Sequence, residues 1–439
     1  TFSVMEAKTG AIVASASTPN FNLNTLDNIE SYLNPLTSYT YEPGSTMKIF
    51  SFMAAIENGI YNGEDTYDSG TIKLSDGTVI KDFNNVGWGR ITYNKGFAYS
   101  SNVAATLLAQ KLGTIKLRTF YENLGFGKNT GIELPGELPG KINFNYESEL
   151  ANASFGQGVT TTPIQNLQAL SSIANNGTVL KPYIVSKIVN SKGNTVYEGK
   201  RTELNTVASK DTINQVKNLM YNVVYDGLAS SKNYAADNVT VIGKTGTAQI
   251  ASPNGGYLTG NYDYIKSFAG LFPYEDPEYV IYVSVKQLVG ETKSIADMVS
   301  NSIEEIAKYK NLVETKSDID ETKIIKLSNY ISKETILTTD LLEKKGLKVI
   351  ALGDGKHIIN QYPLKNKSVT YGTKVFLLTD GTNFTMPDVI GWSSNDIKTF
   401  CKLIGLNYNI NGYGNVSEVS IKPGENINFE NTLEITLNQ

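Results

Sequence analysis

One cysteine and one histidine in 439 residues remove several kinds of chemistry at once. A single thiol, Cys401, cannot form an internal disulfide; within Phe400-Cys401-Lys402-Leu403-Ile404 it reads as a small buried hydrophobe. A single imidazole, His357, leaves no multi-histidine zinc site, so neither a metal nor a cofactor is expected. It also makes any serine–histidine–aspartate triad depend on one residue in the C-terminal third. Excess positive charge is missing too. Lys and Arg number 39 against 43 Asp and Glu, a net charge of −4. With no basic stripe, no nucleic-acid partner is expected. No apolar run approaches the roughly 18 residues that cross a bilayer, and no stretch of these residues reads as a signal peptide. What remains is an ordinary globular composition, 19% charged, long enough for two to three domains with a full core.

Without a histidine base, attention falls on lysine. Pro43-Gly44-Ser45-Thr46-Met47-Lys48 holds the single Ser-x-x-Lys of the chain. Three residues apart, a hydroxyl and an amine share one face of a helix, one turn apart, close enough for a proton to pass between them. Pro43 and Gly44 break the chain before it. Ile49-Phe50-Ser51-Phe52-Met53-Ala54-Ala55-Ile56 follows and is apolar on nearly every side, as a buried helix should be. A lysine at the start of such a helix is costly unless neutral or well paired, and desolvation lowers its pKa toward that of a usable base. Alone, the pair fits equally a helix start with a capping serine and a snorkelling lysine.

Two later segments change the reading. Ser100-Ser101-Asn102 opens a second apolar helix, Val103-Ala104-Ala105-Thr106-Leu107-Leu108. Lys244-Thr245-Gly246-Thr247 comes directly after Val239-Thr240-Val241-Ile242, a β-branched run that reads as a strand. Ser-x-x-Lys, Ser-x-Asn and Lys-Thr-Gly, in that order, are the set of penicillin-binding proteins and class A β-lactamases. Order matters, because Lys8-Thr9-Gly10 and Ser393-Ser394-Asn395 repeat two of the motifs out of place. The first reads as a hairpin turn; the second lies in a different domain. Further landmarks include Ser17-Thr18-Pro19-Asn20-Phe21, Phe155-Gly156-Gln157-Gly158 and Ser267-Phe268-Ala269-Gly270-Leu271-Phe272-Pro273. On these residues, positions 1–309 resemble the transpeptidase domain of class B penicillin-binding proteins. The resemblance implies an α/β (α+β) serine transpeptidase fold, with a central antiparallel sheet of about five strands between helices.

Beyond a charged segment at 310–330, read as a solvated linker, the chain repeats itself. Gly346-Leu347-Lys348-Val349 aligns with Gly405-Leu406-Asn407-Tyr408, and Thr373-Lys374-Val375-Phe376-Leu377-Leu378 with Asn431-Thr432-Leu433-Glu434-Ile435-Thr436. Each unit reads as an amphipathic helix followed by strands. Met386-Pro387-Asp388-Val389-Ile390-Gly391 resembles the start of a PASTA module. The expectation is therefore two small α+β modules, PASTA-like at 331–381 and PASTA at 382–439. They either touch peptidoglycan or only pack against their neighbours.

The chemistry expected is acyl transfer through a serine ester, with Ser45 as nucleophile and Lys48 as its base. The resemblance implies further roles. The backbone N–H groups of Ser45 and Thr247 would form the oxyanion hole; Ser100 would relay a proton to the leaving amine; Asn102 would orient the substrate amide and Lys48. Lys244, Thr245 and Thr247 would receive a carboxylate, and Gly246 would let a peptide lie along the strand. It also implies the partners: peptidoglycan stem peptides ending in D-Ala-D-Ala, β-lactams that mimic them, and a membrane glycan polymerase. Such proteins work at the extracytoplasmic face of the bacterial membrane, through an N-terminal anchor and a pedestal domain; both are expected to precede the first residue of this chain. Two alternatives stay open: a serine β-lactamase or D,D-carboxypeptidase of the same fold, and a β-lactam or wall-fragment sensor without turnover. Asn102 stands where class D β-lactamases carry an apolar residue. Glu133 and Glu137, the acidic residues nearest to a class A deacylating glutamate, read as exposed turn residues.

Overall fold

The computed structural model describes all residues except 19, 21, 23, 26–28, 30, 311, 313–323, 371, 413, 414 and 439. Contacts divide the chain into two units, Thr1–Ala236 with Thr240–Asn301, and Asp237–Val239 with Ser302–Gln439.

The first unit is built on one five-stranded antiparallel sheet, as expected. Its strands are β1 (Phe2–Glu6), β2 (Ile12–Ala16), β3 (Ile242–Gln249), β4 (Tyr264–Phe272) and β5 (Tyr279–Lys286), in the order β3-β4-β5-β1-β2. The chain closes the sheet late: its first two strands wait for three that arrive more than two hundred residues on. Side chains alternate across the pleat. Ile265, Ala269 and Leu271 of β4, with Val280 and Tyr282 of β5, join the core formed with the helices. On the other face of β4, Phe268 stacks on Tyr234 at 4.1 Å.

Four helices position the site: α1 (Lys48–Glu57), α2 (Asn102–Leu112), α3 (Pro163–Ala174) and α4 (Lys210–Tyr225). Helix α1 is buried through nine of its positions, Lys48 to Ile56, which matches its all-round apolar sequence. Helix α3 is buried at every residue and starts from a capping box between Thr162 and Gln165. Its buried amide at Gln165 is satisfied by the carbonyls of Lys128 and Pro139, at 2.8 and 2.7 Å.

Two local expectations change. Ser45 lies on a 3-10 turn, Gly44–Met47, and only Lys48 begins the α-helix. Because residues i and i+3 eclipse in a 3-10 turn, the hydroxyl and the amine still face each other. The strand expected at 239–242 begins only at Ile242 and carries the Lys244–Thr247 motif itself. Val241 donates its N–H to the Tyr225 hydroxyl at 3.1 Å rather than to a strand, and the neighbouring strand ends where Pro273 removes a donor. The decoy Lys8-Thr9-Gly10 is the β1–β2 turn, as expected.

In the second unit the internal repeat is visible as repeated topology. Helix Thr335–Lys344 is followed by strands Lys348–Leu352, Ile358–Tyr362 and Lys374–Thr379, the last one central, parallel to the first and antiparallel to the second. Helix Ser394–Ile404 with Tyr408–Gly412, Asn415–Val419 and Leu433–Asn438 reproduces that arrangement. Cys401 is fully buried, and burial pushes its thiol up to about 12. The expected linker ends sooner than position 330. Ile324–Lys326 pairs with Ser368–Thr370, and Leu327 and Tyr330 are buried in the core of the first repeat. The charged composition hid these few apolar anchors; residues 313–323 lie outside the described residues.

Gly156 sets the turn that carries Ser45. Its φ is +81°, its carbonyl accepts the Gly44 N–H at 3.0 Å, and a Cβ there would stand 2.2 Å from the Gly44 oxygen. Gly156→Ala is therefore expected to cost about 1–3 kcal/mol through left-handed strain and a backbone clash. Thermal unfolding should show a lower midpoint; an unchanged one would mean that the turn yields freely.

Candidate active site

The three motifs meet at the amine of Lys48. The side chain is fully buried, yet its Nζ has four oxygens in reach. They are Ser45 Oγ at 3.1 Å, Ser100 O at 2.5 Å, Ser100 Oγ at 3.2 Å and Asn102 Oδ1 at 2.7 Å. Two of these, the Ser100 carbonyl and the Asn102 amide oxygen, can only accept. A neutral amine has two N–H bonds for those two acceptors and one lone pair left for the O–H of Ser45. The site can thus hold the neutral form. Electrostatics agree: burial pushes the pKa of Lys48 far below the ordinary lysine value, the Lys244 charge lowers it further, and Asp82 opposes them. The ring of Phe155 lies 6.0 Å away and lines the pocket around the amine.

Ser100 links the motifs. Its φ of +60° is left-handed for a residue with a side chain, a strained conformation held by its surroundings. That twist turns both its carbonyl and its hydroxyl toward Lys48. The same hydroxyl accepts from Lys244 Nζ at 2.9 Å. Lys244 is 1% exposed, also donates to the Thr245 carbonyl at 3.0 Å, and burial brings its pKa down to about 7. Ser101 caps helix α2 through the Ala104 N–H at 3.1 Å, and Asn102 anchors its Nδ2 on the Lys81 carbonyl at 2.8 Å.

The edge strand sits directly on the turn. A Cβ on Gly44 would stand 2.7 Å from the Thr247 carbonyl oxygen, so the Ser45 turn and Thr247, the two expected donors to an oxyanion, are neighbours. Gly246 differs from its expected reason. A Cβ there would meet Ser267 Oγ at 2.2 Å, Pro43 O at 3.1 Å and the Thr46 side chain at 3.1 Å. The missing side chain makes room behind the strand, for the turn, rather than in front of it for a peptide. Thr247 is exposed and Thr245 half-buried, and Lys266 Nζ on the adjacent strand donates to Thr247 Oγ1 at 3.3 Å.

Three residues escaped the motif reading. Glu42 accepts the Gly158 N–H at 2.9 Å and the Tyr257 hydroxyl at 3.1 Å, and burial raises its pKa. Tyr257 thereby ties the 250–264 loop to the segment that leads into Ser45. Asp82 is buried against the start of α2. None of the three carries a sequence signal, because each lies in a turn or loop and acts across the fold. Glu133 is exposed and accepts from the Ile184 N–H and the Tyr197 hydroxyl, while Glu137 is half-buried and accepts from Thr130 and Gly131. His357, in the second unit, pairs with Asp380 at 3.2 Å. Among the described residues, no group of three or more His, Cys, Asp and Glu could hold a metal, and no helix is long and apolar enough to cross a membrane.

Comparison with known proteins places this geometry. Residues 1–304 match the penicillin-binding protein transpeptidase domain, and residues 384–439 the PASTA domain. The stage V sporulation protein D of Bacillus subtilis is 33% identical over 84% of this chain, which spans 59% of that protein's length. Penicillin-binding protein 2X of Streptococcus thermophilus superposes with a TM-score of 0.64 at 28% identity, covering 100% of this chain and 67% of its own. Penicillin-binding protein 3 of Mycobacterium tuberculosis, solved in complex with aztreonam, has a TM-score of 0.64 at 26% identity over 72% of this chain and 73% of its own. A buried lysine shared by three ordered motifs, on this sheet and with this match across two thirds of the molecule, makes the chain a member of the penicillin-binding protein transpeptidase family with a C-terminal PASTA domain.

Proposed function

We propose that this chain is the catalytic part of a serine-type D-Ala-D-Ala transpeptidase that crosslinks peptidoglycan stem peptides and is acylated by β-lactams. The observation that carries the reading is Lys48 Nζ within 3.1 Å of Ser45 Oγ while both obligate acceptors around it are filled by N–H donors. Ser45 Oγ attacks the carbonyl of the penultimate D-Ala, and Lys48 takes the hydroxyl proton. The Ser45 and Thr247 N–H groups receive the developing oxyanion. As the C–N bond breaks, Ser100 passes a proton to the amine of the departing D-Ala, and Asn102 holds Lys48 and the substrate amide. An amine from a neighbouring stem then attacks the ester, which forms the crosslink and returns the proton to Ser45. Lys244, Thr245 and Thr247 take the terminal carboxylate. The proposed setting is the extracytoplasmic face of the bacterial membrane, beside a glycan polymerase.

Ser45→Ala should abolish covalent labelling by a fluorescent penicillin while the fold survives; mass spectrometry of the intact chain with peptide mapping checks it. Labelling retained at full strength would reject Ser45. Lys48→Ala should cut acylation by about 10²–10⁴, the usual weight of a general base; a loss below tenfold would assign the base elsewhere. Formation of a crosslink from stem-peptide donor and acceptor separates this reading from hydrolysis or sensing.

Acylation should also depend on pH in a bell. Lys48 acts when neutral, so the rate rises with pH through its lowered pKa. Lys244 helps when charged, so the rate falls as pH passes its value of about 7. Stopped-flow acylation across pH 5–10 reads both limbs, and a rate still climbing at pH 10 would mean that the base keeps an ordinary lysine pKa.

A further inference from the structure

Asp82 lies outside every motif, yet it is 1% exposed and fully engaged. Its Oδ1 accepts from Ser101 Oγ at 2.8 Å, from the Asn102 N–H at 2.7 Å and from the Val103 N–H at 3.1 Å; its Oδ2 accepts from the Gly70 N–H at 2.8 Å. Three of these donors belong to the start of helix α2, where free N–H groups and the helix dipole favour an anion. A neutral side chain suffices to cap a helix, and Ser101 already does so. Burying a carboxylate there is expensive unless it is hydrogen-bonded, and the four donors offset that cost.

The charge also acts on Lys48. Asn102, whose backbone Asp82 holds, sends its Oδ1 to Lys48 and its Nδ2 to the carbonyl of Lys81, the residue before Asp82. The Lys81–Asp82 segment thus fixes both the backbone N–H and the Nδ2 end of Asn102, and leaves its Oδ1 for Lys48. The groups around Lys48 are Ser45 on its own turn, Ser100 and Asn102 at the start of α2, Phe155, Lys244 from β3, and Asp82 behind Asn102. Tyr67, a buried phenol pushed above the ordinary tyrosine range by burial, adjoins Asp82 and Ser101. Among the charged groups, Asp82 alone favours a proton on Lys48; burial and Lys244 both oppose it.

We propose that Asp82 is a positioning residue for acyl transfer: it orients the Ser100–Asn102 segment and sets a carboxylate behind the amide that holds Lys48. A lysine lowered by burial and by a second cation, with nothing opposing them, would be neutral over a wide pH range but a weak proton acceptor. The assignment rests on the acyl-transfer reading above.

The test is the pH dependence of acylation by a fluorescent penicillin in the native sequence, Asp82→Asn, Asp82→Ser and Ser101→Ala. Removing the negative charge lowers the Lys48 pKa, so both Asp82 variants should move the acid limb at least about half a unit to lower pH. Their plateau rates should fall at least about twofold, as a weaker base transfers less well. Ser101→Ala loses a cap but no charge, and should keep the native midpoint. The serine variant keeps a hydroxyl for the helix start, so the test does not hang on the amide being tolerated opposite the Gly70 N–H. A uniform loss of rate with the midpoint unmoved, or moved upward, would reduce Asp82 to a cap and overturn the proposal. Failure of the native chain to label at Ser45 would instead sink the acyl-transfer reading itself.

Discussion

A primary amine buried from solvent is the constraint on which the first unit turns. Lys48 has left solvent completely, and its nitrogen meets two oxygens that can only accept and two hydroxyls that can do either. In water an amine of ordinary pKa would hold its proton at neutral pH and be useless as a base. Here the missing hydration, and the charge of Lys244 behind Ser100, work against that proton. Two obligate acceptors take two N–H bonds and leave the lone pair free for a hydroxyl, with Ser45 Oγ at 3.1 Å. Burial therefore supplies both the chemistry and the orientation, and each needs the other.

Holding such an amine requires rigid surroundings, because a polar group pulled from water costs energy whenever its partners move away. The chain meets the requirement with backbone rather than with flexible side chains. The 3-10 turn is pinned by Gly156, the edge strand lies against that turn where Gly246 leaves room, and the left-handed Ser100 presents its own carbonyl. Helix α1, apolar on all sides, cannot rotate the lysine outward without exposing its core face. Asp82 and Glu42 then fix the two approaches, one at the start of α2 and one ahead of Ser45.

The second unit uses a different economy. Each repeat offers a small sheet and one helix, too little to enclose a core independently. The two repeats answer this by sharing apolar side chains. Phe376, on the central strand of the first, belongs to the core of the second and meets the Trp392 ring at 5.6 Å. Lys374 and Asp396 add an ion pair at 2.6 Å across the same junction. Leu327 and Tyr330 close the first core from the N-terminal side. The repeats are thus one packed body, and the short strand at 324–326 is the reason the charged stretch before it ends where it does.

Much of this was legible along the chain. A hydroxyl and an amine three residues apart, an apolar run after a Pro-Gly break, a capped Ser-x-Asn helix and two strand-helix repeats are all short-range patterns. Local periodicity and capping determine them wherever the segment ends up. The tertiary structure decided what no local pattern can hold: how strongly Lys48 is desolvated, which carboxylate stands behind it, why residue 246 has no side chain, and where the edge strand begins. Those depend on distances between segments that lie tens to hundreds of residues apart. Proton affinity, in particular, is set by the absence of water and the nearness of other charges, and both come into being only when the chain has closed around the amine.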